Sequence, residues 1–163
     1  MISEMRRKKQ LLSEEECREV LNHSTSGVLS LNDLDGYPYG VPLSYVLVDN
    51  KIYFHSALEG HKIDCIRTSD KASFCVIDKD EIIEEKFTTH FRSVIAFGNV
   101  RIIEDEEEKR RTIELLALKY SPHHIDGIPT EIEHGIKRMI MIEFSIIHLS
   151  GKEAIELVLA KNK

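Results

Sequence analysis

Serine, glycine and lysine side chains that can bind a phosphate group lie close together in one short segment, from His55 to Lys62. A β-rich run ends at Ser56, Gly60 shapes a turn, and Lys62 falls in the first turn of a helical pattern. The first amides of a helix attract anions, and a hydroxyl and an ammonium add to that attraction. The segment predicts a phosphate site, which His61 could join at lower pH; ordinary helix capping is the competing interpretation.

A second segment, Gly36 to Tyr45, carries a proline inside a run that otherwise has the pattern of a strand. Pro42 cannot donate a ladder hydrogen bond, so it belongs on an edge strand or beside a displaced neighbour. Such a gap leaves backbone groups free to bind the edge of a flat heteroaromatic ring. An edge strand without any ligand is the simpler interpretation of this segment taken alone.

A third segment, Thr88 to Val94, leads into a long predicted strand and places Phe91, Arg92 and Ser93 side by side. An aromatic ring, a guanidinium and a hydroxyl could bind a ligand together. An exposed strand start is the alternative interpretation.

The histidines and cysteines do not form a recognisable catalytic or metal-binding motif. The adjacent pair His123 and His124 lies in a predicted loop, and no HExxH or HxH spacing occurs, so we expect no metal site. Cys17, Cys65 and Cys75 form no CxxC pair, and the last two have apolar neighbours, where thiols are usually inert. We expect reduced thiols, as in the cytoplasm.

Composition limits the class of protein. The chain has 163 residues, 42% of them hydrophobic, and a formal net charge of −6, which fits one domain and opposes general nucleic-acid binding. No apolar stretch reaches the roughly 20 residues of a membrane-spanning helix, and the N-terminus lacks the apolar segment of a signal peptide. The sequence therefore predicts a soluble, cytoplasmic, single-domain protein.

The chain divides into four regions by pattern. Residues 1–12 form a basic tail, a capping box at Ser13 to Glu16 begins a helix over 13–22, a barrel with inserted helices covers 26–149, and residues 150–163 form a tail. Cys17 falls on the buried face of the first helix.

Short β-rich runs dominate the central region. Strands are predicted at 27–31, 40–48, 51–56, 72–78, 92–103 and 139–149, with helices at 60–68 and 106–120 and an acidic loop over 78–85. Gly98 indicates a bulge or a close approach of two backbones. The pattern predicts a mainly β fold, a six-stranded antiparallel barrel with flanking helices.

Three motifs resemble, in order and spacing, the flavin-binding split-barrel superfamily of pyridoxamine 5'-phosphate oxidase-like proteins, most closely its nitroimidazole-resistance (Nim-type) branch. They are Gly36-x-Pro38-x-x-x-Pro42-Leu43-Ser44-Tyr45, His55-Ser56-Ala57-x-x-Gly60-His61-Lys62 and Phe91-Arg92-Ser93-Val94-x-x-x-Gly98. The resemblance covers nearly the whole chain.

The resemblance implies a homodimer of six-stranded split barrels with one FMN at each of two sites along the subunit interface. The implied residues are Ser56, His61 and Lys62 for the phosphate, Val41, Pro42, Leu43, Ser44 and Tyr45 for the isoalloxazine, His55 and Ala57 close by, and Arg92, Ser93 and Val94, from either subunit, to complete the pocket.

The same resemblance implies flavin redox chemistry. A reduced nicotinamide or another donor would pass electrons through FMN to an acceptor such as a nitro-aromatic or a quinone. His55 is the candidate proton donor, and a purely structural histidine is its alternative. The chain has no tryptophan and lacks the arginine-rich C-terminal segment of true pyridoxamine phosphate oxidases, so their substrate is not carried over.

Three alternatives stay open at the level of sequence. Related split barrels bind haem, for which His23, His90, His124, His134 or His148 could supply an axial nitrogen. Others carry flavin without turnover, and others use a deazaflavin.

Overall fold

A computed structural model describes residues 5–161 as one antiparallel sheet with flanking helices. Its strands are β1 Ser26–Asn32, β2 Pro38–Ser44, β3 Val46–Val48, β4 Lys51–Ala57, β5 Lys71–Ile83, β6 Thr88–Ile102 and β7 Met139–Glu153. Their order across the sheet is β2-β1-β5-β6-β7-β4-β3. The mainly β class is confirmed, with seven strands where six were predicted.

The extra strand arises because the predicted run over 40–48 is broken at Tyr45. Within residues 5–161, β2 pairs with β1 and β3 pairs with β4, so the two halves lie at opposite edges of the sheet. The Tyr45 side chain turns into the core, where its hydroxyl donates to the Leu21 carbonyl at 2.7 Å. The break therefore has a packing cause, the burial of one large aromatic residue.

Strands β5 and β6 extend further than predicted. The acidic loop expected over 78–85 is instead strand up to Ile83, paired with Thr88 on β6. Phe87, at the tip, has a positive φ of 49° and is almost fully exposed. Cross-strand hydrogen bonds maintain this arm even though few of its side chains are buried, which the sequence pattern could not indicate.

The sheet curls around a core that takes side chains from both of its ends. Phe74 of β5 packs edge-on against Tyr45, with ring centroids 4.9 Å apart, and against Phe54 of β4, at 5.2 Å. These three rings are fully buried. Closure of the sheet into a six-stranded barrel stays a prediction, because the paired strands form one open sheet.

Five α-helices of the described residues flank the sheet: α1 Glu14–His23, α2 His61–Thr68, α3 Glu106–Tyr120, α4 Ile128–Gly135 and α5 Ile155–Lys161. The capping box predicted at Ser13 is present in full with Glu16. The predicted helix over 106–120 matches α3. No helix within residues 5–161 is long and apolar enough to cross a membrane.

Both predicted tails differ from the structure. Strand β7 continues to Glu153 and α5 follows it, so residues 150–161 are ordered in regular elements. At the other end, Leu11 bridges to Lys152 and Leu12 is buried in the core; the first four residues of the basic tail lie outside the described part. Apolar residues at 11, 12 and 155 explain why these segments pack onto the fold.

Gly98 of β6 lies both at a bulge and at a close approach of two backbones, the two features that its position in the sequence predicted. The register between β6 and β7 shifts between Phe97 and Gly98, and a Cβ atom at Gly98 would lie 2.1 Å from the Ser145 carbonyl oxygen. Only a residue without a side chain fits between these two backbones.

A second apolar cluster covers the outer face of the other end of the sheet. Helices α3 and α4 pack there against Val46, Tyr53 and Met141, which belong to β3, β4 and β7. Helix α2 therefore follows the end of β4, and α3 packs on the outer face of β4. The candidate site lies around this strand.

Candidate functional site

The predicted phosphate residues Ser56 and Lys62 meet in the structure. The Lys62 ammonium donates a hydrogen bond to the Ser56 hydroxyl oxygen at 2.9 Å, and Ser56 is 4% exposed. Ser56 occupies the penultimate position of β4 and Lys62 the second position of α2, so the three-residue turn between the two elements brings them together. A hydroxyl and an ammonium thus lie beside the start of a helix.

Helix α2 begins without a side-chain cap within the described residues. Its N-cap is Gly60, whose φ of 137° few other residues adopt, whereas Ser13 and Asp105 cap α1 and α3 through their side-chain oxygens. The first-turn amides of an α-helix have no intrahelical acceptor. An anion beside Ser56 and Lys62 could accept from them.

His61 faces a different set of groups from the one predicted. Its Nε2 lies 3.2 Å from an Asp33 carboxylate oxygen and 3.8 Å from the Cys65 sulfur, and its ring packs edge-on against Tyr39 at 4.6 Å. Sequence reasoning missed Asp33 and Cys65. The available signal was the spacing of His61 and Cys65, four residues apart, which puts both on one face of a helix.

His55 lies on the opposite face of β4 from Ser56, because successive side chains of a strand alternate. It borders a cavity of about 360 Å³ together with Ser44 and Met139, whose remaining lining comes from α3. The lining from α3 is mostly apolar: Ile113, Leu116, Ala117 and Tyr120. An imidazole at the edge of an apolar cavity is placed to exchange a proton with a ligand bound there.

Strand β2 shows the edge position that Pro42 predicted. Its only pairing among the described residues is with β1, and its exposure alternates, so Val41 and Leu43 point inward and pack on the core while Pro42 and Ser44 point outward. Ala57, at the end of β4, is exposed. The Tyr45 side chain belongs to the core.

The C-terminal end of α3 fixes the chain at the break between β2 and β3. The Tyr120 hydroxyl accepts from the Tyr45 amide at 2.9 Å and lies within donating distance of the Thr25 and Tyr45 carbonyls. The Lys119 ammonium donates to the Ser24 carbonyl at 2.6 Å and lies 4.0 Å above the Tyr45 ring. Burial lowers the pKa of Lys119 to about 8, although both of these contacts favour its charged form.

The third predicted group, on β6, is not brought to the others within one chain. Arg92 pairs across the ladder with Glu153 of β7, and His55 pairs with Met141 of the same strand, twelve residues away. The Arg92 guanidinium donates to Glu153 at 2.9 Å and reaches Asp78 at 3.5 Å, while Val94 is fully buried. Arg92 therefore has acidic partners in its own chain.

Ser93 belongs to an exposed apolar surface on the outer face of β1, β5 and β6. Val28, Cys75 and Ile95 lie opposite one another in adjacent strands, and Ile77 and Phe97 extend the same face. The four large apolar side chains, Val28, Ile77, Ile95 and Phe97, are 38–68% exposed. We call these four residues with Cys75 and Ser93 the outer β-face. Large exposed apolar patches mark interaction surfaces.

The five histidines considered for haem do not share one site. His23 contacts Asp78 at 2.5 Å, and the ring of His148 packs near Phe97. His90 has a buried Nε2 without a hydrogen-bond partner among the described residues. His124 and His134 border a second cavity, of about 340 Å³, between α3 and α4.

The three cysteines are free thiols. Burial raises the pKa of Cys17 to about 11 and also raises the pKa values of Cys65 and Cys75. Each thiol is therefore protonated at neutral pH and a poor nucleophile.

Comparison with protein families gives one match, over most of the chain. The family model described as pyridoxamine 5'-phosphate oxidase matches residues 13–153. No curated protein matches the chain in sequence.

Three solved structures illustrate the fold similarity. A candidate 5-nitroimidazole antibiotic resistance protein from Bacteroides thetaiotaomicron is 20% identical, with a TM-score of 0.74 over 88% of this chain and 86% of that one. A FAD-binding protein from Mesorhizobium loti is 25% identical, with a TM-score of 0.62 over 89% and 97%. A FAD- and haem-binding protein from Mycobacterium smegmatis is 17% identical, with a TM-score of 0.73 over 95% and 80%.

Proposed function

Because the chain belongs to the pyridoxamine 5'-phosphate oxidase family, we propose that it is a flavoprotein that binds FMN and transfers electrons to a small acceptor. The observation that carries the proposal is the Ser56–Lys62 pair at the start of α2. Its hydroxyl, ammonium and first-turn amides are the donors that a terminal phosphate requires. The residues present therefore fit the phosphate end of FMN.

The isoalloxazine ring would lie against the exposed sheet edge formed by β2. Pro42 lies on this edge strand and has no amide hydrogen with which to bind a further strand. Backbone groups of Val41 to Tyr45 would hydrogen-bond the ring edge. Ala57, exposed at the end of β4, is small enough to let a flat ring approach. His61 stays a predicted phosphate ligand, although its Nε2 faces Asp33.

We include a homodimer in the proposal. Arg92, Ser93 and Val94 pair with β7 residues that lie ten to twelve positions beyond Met141, the partner of His55, so we place them in the pocket of a second chain. The outer β-face supplies an apolar surface for that contact, and Ser93 lies on it. A second copy would bury this face and bring Ser93 towards a pocket of its partner.

Bound FMN would supply the capacity to accept a hydride and to release electrons one or two at a time. The chain's own residues would bind the phosphate, hold the ring edge through β2 and exclude water through α3. The His55 imidazole, beside the apolar cavity, would donate or accept a proton at Nδ1 or Nε2. A reduced nicotinamide is the proposed donor, and a nitro-aromatic or quinone the proposed acceptor, by analogy with the Nim-type branch.

The experiment that tests the proposal is a visible absorption spectrum of the protein purified without added cofactor, with mass identification of the molecule that acid releases. Two broad bands in the near-ultraviolet and blue, with released FMN, would support it. Release of FAD would identify FAD, and not FMN, as the cofactor. A sharp Soret band would favour haem binding, as in the Mycobacterium smegmatis protein. No colour and no uptake of added flavin would overturn the proposal.

A second measurement separates an enzyme from a protein that only carries flavin. The flavin-loaded protein is mixed without oxygen with a reduced nicotinamide, and the blue absorption is followed. Bleaching, and its reversal by a nitro-aromatic or quinone, would support an oxidoreductase. A spectrum that stays unchanged with each donor would limit the function to flavin binding.

A further inference from the structure

Three side chains that commonly bind transition metals converge beside helix α2. They are the carboxylate of Asp33, the imidazole of His61 and the thiol of Cys65, and their ligand atoms all lie within 4.8 Å of one another. Asp33 comes from the turn between β1 and β2, and the other two come from α2. We propose that this cluster is a binding site for a zinc-class divalent cation.

Two of the three distances between ligand atoms are close to those of a coordination sphere. His61 Nε2 lies 3.2 Å from the Asp33 oxygen and 3.8 Å from the Cys65 sulfur. With metal–ligand bonds of 2.0–2.3 Å, the ligand atoms of a tetrahedral zinc ion lie about 3.3–3.7 Å apart. Small side-chain rotations would bring the three atoms to that geometry.

The donor types select the class of metal. A thiolate and an imidazole favour zinc and similar transition metals, whereas magnesium and calcium prefer all-oxygen ligands. Three protein ligands leave one position of a tetrahedral ion for water or another ligand. His61 and Asp33 are partly exposed, so an ion can enter from solvent, while Cys65 is 1% exposed.

Neighbouring groups hold two of the ligands in place. The Leu34 amide donates to an Asp33 carboxylate oxygen at 2.6 Å, which fixes the carboxylate in the β1–β2 turn. The Tyr39 ring packs edge-on against the His61 ring at 4.6 Å and restricts its rotation. Such supporting contacts are typical of metal ligands.

Binding requires loss of the thiol proton. Burial and the nearby Asp33 carboxylate raise the pKa of Cys65, so the sulfur is protonated in the metal-free chain. When the ion binds, the S–H bond breaks, a sulfur–metal bond forms and one proton passes to solvent. The ion would neutralise the Asp33 and thiolate charges and connect the β1–β2 turn to α2.

The alternative is that His61 and Asp33 form an ordinary ion pair and that Cys65 only fills the core. Two matched pairs of variants separate these readings. Asp33→Asn removes a charged ligand but keeps an oxygen that can accept from Leu34, and Asp35→Asn changes an exposed carboxylate of the same turn. Cys65→Ser removes the sulfur ligand, and Cys17→Ser removes the other buried thiol, which lies on α1.

The experiment titrates the full-length protein with zinc in competition with a chromophoric chelator, and with cobalt as an optical probe. We expect one ion per chain, a thiolate-to-cobalt charge-transfer band in the difference spectrum, and a zinc-dependent rise in melting temperature. Asp33→Asn should weaken zinc binding more than about 10-fold, the loss typical of even an outer-shell partner. Cys65→Ser should abolish the charge-transfer band, and both controls should behave like the wild type.

Three outcomes would overturn the proposal: no zinc uptake by the wild type, equal affinities of Asp33→Asn and Asp35→Asn, or a charge-transfer band that survives Cys65→Ser. If Cys65→Ser does not fold, the Asp33 pair decides, because both residues lie on a surface turn. Flavin content is measured on the same samples, so a loss of metal is distinguished from a loss of cofactor.

Discussion

The two regions predicted to bind one ligand differ in how complete they are within a single chain. Beside α2, Ser56 and Lys62 are in direct contact, and no side chain of residues 5–161 caps the helix start next to them. On β6, Arg92 is engaged by Glu153 and Asp78, and Ser93 lies on the exposed outer β-face. The first region is assembled within a single chain; the second is an exposed surface.

This difference separates the part of the proposed site that forms when one chain folds from the part that requires assembly of two chains. Local chain geometry alone creates the α2 region, since a turn of three residues joins β4 to α2. The outer β-face requires a partner before it can enclose anything. Interference with assembly should therefore expose the outer β-face and lower flavin binding, whereas a change at Lys62 should lower flavin binding and leave assembly intact.

The largest expected effect comes from Ile95→Asp, which places a charge in the middle of the outer β-face. An uncompensated buried charge costs about 3–5 kcal/mol, so dimerisation should weaken at least about 100-fold and flavin should be lost with it. Sedimentation and flavin content measure the two effects. Ile125→Asp, at an exposed isoleucine remote from this face, is the control. A variant that stays dimeric would remove the outer β-face from the proposed interface.

The next effect is expected for Lys62→Ala. The loss of a hydrogen bond to a charged group costs about 1.5–3 kcal/mol, which corresponds to a roughly 10- to 100-fold weaker affinity for FMN. Flavin fluorescence titration measures it, and the variant should stay dimeric. Lys71→Ala, at a lysine whose ammonium pairs with Asp70, is the matched control. Equal affinities of the two variants would refute the phosphate assignment.

A smaller, pH-dependent effect is expected for Glu143→Gln. Glu143 on β7 binds Lys51 of β4 at 2.9 Å and Arg101 of β6 at 2.8 Å, so it connects the strands of the two regions. Burial opposes its charged form, but the hydrogen bonds from Arg101, Lys51 and Ser145 prevail and lower its pKa from 4.5 to about 2.

A lowered pKa in the folded state stabilises the fold above the unfolded value and loses that contribution as the pH falls towards the folded value. The difference in unfolding free energy between wild type and Glu143→Gln should therefore be largest above pH 4.5 and shrink towards pH 2. Denaturation with urea across this range measures it, with Glu114→Gln, an exposed glutamate of α3, as the control. A constant difference would contradict the assignment.

The smallest effect is expected for Tyr120→Phe. The change removes the oxygen that accepts from the Tyr45 amide, at a cost of about 0.5–1.5 kcal/mol. Hydrogen exchange at the Tyr45 amide should quicken, while the Ser56–Lys62 pair should change little. Unaltered exchange would show that packing alone holds the break between β2 and β3.

Sequence patterns predicted the elements whose stability is local. The capping box at Ser13, the helix over 106–120 and the irregularity at Gly98 all follow from spacing or from the absence of a side chain. The contact of Ser56 with Lys62 also follows, since both belong to one strand–turn–helix unit.

The elements that were missed depend on distant partners. The break at Tyr45 requires Leu21 and Tyr120, and the long arm of β5 and β6 is maintained by pairing rather than by burial. Asp33 approaches His61 only because a hairpin turn packs beside α2. The hydrophobic pattern within a single segment cannot indicate contacts of this kind.

The alternation of His55 and Ser56 on β4 limits where this chain can accept insertions and deletions. The two side chains face different compartments only because all seven residues of β4 are held in register with β7. An inserted or deleted residue within β4 would exchange the imidazole and the hydroxyl between the two faces. Length changes should therefore be tolerated in the exposed arm near Phe87 and selected against between Lys51 and Ala57, even where the inserted residue is itself harmless.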